Sequence, residues 1–132
     1  EDHGMTRAGH RRVIPILGGT ISGLVEAEIL PGGADWQLVR SDGSIEISGL
    51  YSARTTDGEL LLLRAVGVRS GSPEVLAALL RGEAVPPEEY YFRTALTIEA
   101  SAPRLAELER SLYIASCLRD ADAVRYTAYR VT

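Results

Sequence analysis

An antiparallel β-barrel of about eight strands, with one or two short helices, is the fold class that three features of this sequence predict. Turn signals recur at short intervals through the first half: "LGGT" at 17–20, "PGGA" at 31–34, "SDGS" at 41–44 and "TDGE" at 56–59. The runs between them alternate apolar and polar residues with the period of a half-buried strand. Only one long stretch changes to helical spacing. A sheet of that many strands curls closed, or bends into a sandwich, because closure removes its unpaired edges.

The elements follow in order. Residues 13–17 read as a short apolar strand that Pro15 confines to an edge or a bulge. Residues 21–30 set Ile21, Val25, Ala27 and Ile29 opposite Ser22, Glu26 and Glu28. A third strand begins at Asp35 and ends at Ser-Asp-Gly, where Asp-Gly suits a tight hairpin because both central positions want positive φ. Residues 44–55 again alternate, with Ile45, Ile47, Gly49, Tyr51 and Ala53 on one face, and 60–68 are apolar enough for a strand covered on both sides. Ser72 then caps a helix, Pro73 occupies its first turn, Val75, Leu76, Leu79 and Leu80 fall on one face, and Gly82 stops it. Strands at 90–100, 112–118 and 123–131 complete the barrel, with a helical turn at 103–110 and a hairpin at "RDAD". One domain is expected over 11–132, and residues 1–10 are expected to be a disordered start or leftover expression sequence with Met5 as the natural start.

Composition narrows the chemistry. The chain carries 14 basic and 18 acidic residues, and every basic one is arginine, so Schiff-base catalysis by lysine is excluded. No basic block offers the concentrated positive field that nucleic acid needs, and no apolar run is long enough for a membrane-spanning helix. The two histidines, His3 and His10, both lie in the first ten residues. A histidine metal site and the Ser-His-Asp or Cys-His nucleophile arrangements therefore cannot be built from the barrel, and no metal or cofactor is expected. Cys117 stands alone and reads as a small buried hydrophobe. The glycine-rich stretches lack the lysine of a phosphate loop and do not lead into helices.

Acids, arginines and aromatics remain. Strand alternation puts Trp36 on one face and Asp35 and Gln37 on the other, so only a bulge after the glycines would aim both Asp35 and Trp36 inward. Trp36 is either a core filler or a flat ligand wall, with Asp35 as acid or base. In "YYFRT", Tyr91 and Arg93 share a face, and a mid-strand arginine among apolar residues needs either a carboxylate such as Asp35 or an anionic ligand. Arg54 raises the same choice near a turn. Tyr51 and Tyr113, with Tyr126 and Tyr129, are candidate lining hydroxyls.

"PILGGTISG", "LPGGADWQLVRSDG", "ARTTDGELLLLRAVGVR" and "YYFRTALTIEA", in that order and spacing, resemble the domain of unknown function 3237 family, also called uncharacterised protein family 0311. The resemblance implies a single calycin-like antiparallel barrel, often from bacteria or fungi, and names no activity. It carries over Gly32, Gly33, Ala34, Asp35, Trp36, Asp42, Gly43, Arg54, Thr55, Asp57, Gly58, Tyr91, Phe92 and Arg93 as motif positions. The sequence departs from the family after "YYFRT", where Leu96 and Ile98 replace a proline and an aromatic, and at "AELERSLYIAS", which lacks the usual Trp and Asn.

The expected function is small-molecule acid–base chemistry without metal or redox cofactor, of isomerase, hydratase or lyase, or cyclase type, on a compact carbonyl-bearing or anionic metabolite in a cytoplasmic, bacterial barrel. Asp35, Arg93 and Tyr91 are the expected catalytic residues, and Trp36, Arg54, Tyr51 and Tyr113 the expected ligand contacts. A barrel that holds its ligand unchanged is the alternative. A structural homodimer without a pocket is the third reading, in which Arg93 and Asp35 would form an internal pair.

Overall fold

The computed structural model describes residues 1–132. Ten antiparallel strands form one sheet: β1 (Asp2–Thr6), β2 (Gly9–Ile16), β3 (Gly19–Ile21), β4 (Ala27–Ile29), β5 (Gly33–Val39), β6 (Ile45–Thr55), β7 (Leu60–Gly71), β8 (Tyr90–Ala100), β9 (Tyr113–Arg119) and β10 (Val124–Arg130). Two helices interrupt them, α1 (Pro73–Leu80) and α2 (Ala106–Glu109). The hydrogen-bonded order is β1-β2-β5-β6-β7-β8-β9-β10, and β10 does not bond back to β2. The sheet is thus a curled, unsealed barrel: strand type and helix number are as the sequence predicts, whereas the strands number ten and the expected closure is not reached.

Strand β6 organises one wall. Its Ile45–Leu50 portion pairs with β5, while Ala53–Thr55 pairs with β4, so β4 and β5 run end to end along the same edge. Between them Leu30 N–H still donates to Ser52 O at 2.9 Å, and Gly32 takes a φ of 107° that a side chain would strain. "PGGA" is therefore a kink in a continuing edge and not a hairpin. Gly33 follows because a Cβ there would come within 2.6 Å of Leu50 O, closer than any real contact.

Two expectations fail. The start of the chain is ordered: Asp2–Thr6 pairs with Gly9–Arg12, and backbone bonds join Glu1 and Val13 in both directions. Residues 21–30 are not one strand, because Gly23, with a φ of 113°, turns the chain and leaves the short hairpin β3–β4. Period-two alternation survives a turn whose residues happen to keep phase, so pattern alone does not detect the break.

Each helix closes one end. At α1 the Ser72 hydroxyl accepts from Val75 N–H, and Leu76 and Leu79 enter a cluster with Ile45, Ile47, Tyr90, Phe92, Ala115 and Cys117. At the other end Leu108 of α2 and the preceding Leu105 seal Ala53, Leu61, Leu63, Leu96, Ile98 and Tyr113. The two clusters are separate, and the space between them is where a site forms.

Candidate functional site

A cavity of about 410 Å³ lies between the clusters, lined by β2 and β10 at the unsealed seam and by β5, β6, β7 and β8 behind. Room comes from Gly49 and Ala65, which occupy inward positions without bulk. The apolar walls are Ile14, Ile16, Ile29, Ile47, Leu79 and Phe92. That volume and mix of walls suit a small metabolite.

The regular register of β5 against both neighbours decides the question "GGADWQ" poses. Ile14 pairs with Asp35 and Val13 with Trp36, while Asp35 pairs with Gly49 and Leu38 with Glu46, so no bulge intervenes. Asp35 and Gln37 consequently face the cavity, and Trp36 stands 48% exposed on the outside. Gln37 Nε2 donates to Asp35 Oδ2 at 2.9 Å, and Ser48 N–H donates to Oδ1 at 3.1 Å. Burial pushes the Asp35 carboxyl above its ordinary range, with these two bonds and the charges of Arg69 and Arg12 pulling against it.

Arg69 is the centre of the site. It is 3% exposed, makes no ion pair, and its Nε has no hydrogen-bond partner. Its guanidinium carbon lies 5.5 Å from the centre of the Phe92 ring. Burial, with repulsion from Arg119 and Arg12, lowers its pKa to about 10, which still leaves it charged at neutral pH. Arg119 is held by Nη1 donating to Leu79 O at 2.6 Å, a bond that ties the end of α1 to the cavity wall. On the other side the hydroxyls of Tyr51 and Tyr126 meet at 2.6 Å, and burial raises both above the ordinary phenol range. Thr94 and the buried Cys117 complete that wall, their Oγ1 and Sγ 3.8 Å apart. Burial raises the thiol, so Cys117 is a protonated packing group there. No group of three or more His, Cys, Asp or Glu side chains is placed to hold a metal ion, and no helix is long and apolar enough to cross a membrane.

Asp35 and Tyr51 thus line the cavity, and the other expected residues do not. Tyr91 is 53% exposed and Arg93 lies beside it on the outer face, its guanidinium 5.5 Å from the Tyr91 ring and its Nη1 donating to Phe92 O. Arg54 is exposed on the outer face of β6. Tyr113 is buried in the α2 end with its hydroxyl unpartnered, away from the cavity. For Tyr91 and Arg93 the cause is strand phase: Phe92 and Thr94 are the inward residues of "YYFRT", so an internal Arg93–Asp35 pair is geometrically excluded. Arg12, Arg69 and Arg119 were the residues sequence reasoning passed over. Arg69 carried a signal, because Leu61, Leu63, Ala65, Gly67 and Arg69 share one strand phase and only the last is charged.

The family model described as "Protein of unknown function (DUF3237)" matches residues 2–131. A UPF0311 protein of Bradyrhizobium diazoefficiens is 38% identical over 97% of this chain and 84% of its own length, and one of Rhodopseudomonas palustris is 40% identical over 93% and 81%. Among solved structures, a conserved protein of unknown function from R. palustris superposes with a TM-score of 0.90 at 39% identity, covering 93% of this chain and 83% of that one. A beta-barrel like protein from Acinetobacter baumannii gives 0.85 at 40% identity, covering 100% and 85%. With the β-rich architecture and these matches to bacterial proteins in agreement, the chain belongs to the DUF3237 (UPF0311) family.

Proposed function

We propose that the cavity is the working site of an acid–base enzyme acting on a compact anionic, carbonyl-bearing metabolite. Asp35 would take a proton from carbon next to the carbonyl, the electron pair would move to the carbonyl oxygen as an enolate, and the cavity arginines would hold that charge. Return of the proton at another carbon completes an isomerisation and leaves Asp35 ionised again. The observation that carries this reading is a carboxylate raised above its ordinary pKa in the same cavity as an unpaired buried arginine.

A barrel that holds its ligand unchanged is the second reading. It is favoured by the two hydrogen bonds Asp35 already accepts, which occupy both of its oxygens. Proton exchange separates the two without knowledge of the substrate. Keto acids with exchangeable C–H bonds, incubated with the protein in D2O and followed by NMR, should exchange faster with the wild type than with Asp35→Asn. Equal exchange by both proteins, or none above buffer, removes the catalytic reading.

A further inference from the structure

Two buried polar groups of the cavity wall are left without partners, and they are of opposite kind. Arg69 Nε–H is a donor and Gln37 Oε1 an acceptor; both side chains are more than nine-tenths buried, Arg69 at 3% and Gln37 at 7% exposure. The orientation of Gln37 follows from Asp35, since its amide nitrogen faces the carboxylate and its oxygen must therefore face elsewhere. Leaving such groups unpaired is unfavourable, more so for a charged one, which is a reason for a ligand to supply the missing bonds.

Charge restricts what that ligand is. Three arginines (Arg12, Arg69 and Arg119) line the cavity against two carboxylates, Asp35 and Asp122, so the wall carries one surplus positive charge. A single carboxylate on the ligand balances it. The group that donates to Gln37 cannot be an ammonium, because a second cation would be repelled by the same arginines. A neutral hydroxyl meets that condition, and the isoleucines, Leu79 and Phe92 suit an apolar remainder.

We infer that the cavity takes a hydroxy-carboxylate, or the enol form of a keto acid, with its carboxylate on Arg69, its hydroxyl donating to Gln37 Oε1 and an apolar body against the isoleucine and Phe92 walls. The inference rests on the reading of this cavity as the working site, and does not depend on turnover there.

Calorimetric titration with four probes of one skeleton tests it: mandelate, phenylacetate, benzyl alcohol and phenyl phosphate. Mandelate should bind about tenfold or more tighter than phenylacetate, as expected when a site built for a hydroxyl is left unpaired. Benzyl alcohol should be weaker than mandelate by about a hundredfold, the effect of losing a buried charge-assisted contact. Gln37→Met should bring mandelate and phenylacetate to the same affinity. Arg69→Lys should keep the preference for acids over benzyl alcohol, and Arg69→Met should lose it. Equal wild-type affinity for mandelate and phenylacetate, tighter binding of phenyl phosphate, or no binding of mandelate overturns the inference. The two readings fail separately: absent proton exchange with this selectivity intact removes catalysis alone, whereas exchange on acids that bind without hydroxyl preference removes the hydroxy-acid inference alone.

Discussion

The end of the barrel closed by α2 and the end closed by α1 are built from the same strands, yet they differ in what those strands point inward. Along β7 the change is continuous: Leu61 and Leu63 fill the α2 end, Ala65 and Gly67 carry little or no side chain, and Arg69 emerges at the α1 end. On β5 and β8 the α1 half receives Gln37 and Thr94, where the α2 half receives Leu96 and Ile98. Leucines interdigitate and leave no space. A guanidinium, an amide and a carboxylate cannot collapse onto each other in that way, since each needs a directed partner, so the polar half stays open. The cavity is thus the consequence of polar inward residues placed beside Gly49 and Ala65.

The comparison implies that the two halves respond oppositely to truncation. Leu63→Ala, in the packed half, should cost about 2–5 kcal/mol in urea unfolding. Its probe-binding constants should stay within about twofold at temperatures where it is folded, because the site is formed elsewhere. Arg69→Met should do the reverse: replacing an unpaired buried charge with a hydrophobe of similar shape stabilises the free protein by about 1–4 kcal/mol while removing acid binding. A destabilised Arg69→Met protein would show that Arg69 is a structural member of the core and that the contrast between the halves is false.

The third test uses pH. Because burial holds the Asp35 pKa above its ordinary 3.8, the folded state favours the protonated acid. That contribution is fully present below 3.8 and is lost as pH rises through the folded-state value. Asp35→Asn cannot ionise, so its stability should gain on the wild type as pH is raised from 3.8 to neutrality, read as unfolding midpoints across that range. A constant difference would place Asp35 in a solvated setting. The smallest effect is expected outside the barrel: Trp36→Ala and Arg93→Ala should each change stability by no more than about 0.5 kcal/mol and leave probe binding unaltered. A large loss of binding from Arg93→Ala would return the site to the outer face.

Much of the fold was legible. Asp-Gly at 42–43 and 57–58 marks turns that the structure keeps, although only Gly43 and Gly58 take positive φ and Asp42 and Asp57 do not, so these are not the two-residue turns expected; Ser72 with Gly82 brackets α1. The first ten residues were misread because their pairing with β2 is a two-stranded contact with little apolar content, and Gly23 was overlooked within an alternating run. Of the site, Asp35 was found as the acid of a distinctive motif and Tyr51 as a hydroxyl on the apolar phase of a strongly alternating strand. Arg93 was overvalued for its neighbours in sequence, when its neighbours in space on the outer face are the Tyr91 ring and the Phe92 carbonyl.

By itself the sequence determined most of the strands, their alternating phases, the helix that caps one end and the scarcity of histidine and cysteine, since these depend on local periodicity, turn chemistry and composition. Which phase of each strand faces inward was decided only in the tertiary structure. Period two is symmetric between the faces, and that symmetry is broken by the register of β2, β5 and β6, which turns Asp35 and Gln37 in and Trp36 out. The meeting of Arg12, Arg69 and Arg119 in one cavity is likewise a long-range result, because strands far apart in sequence converge there only when the sheet curls.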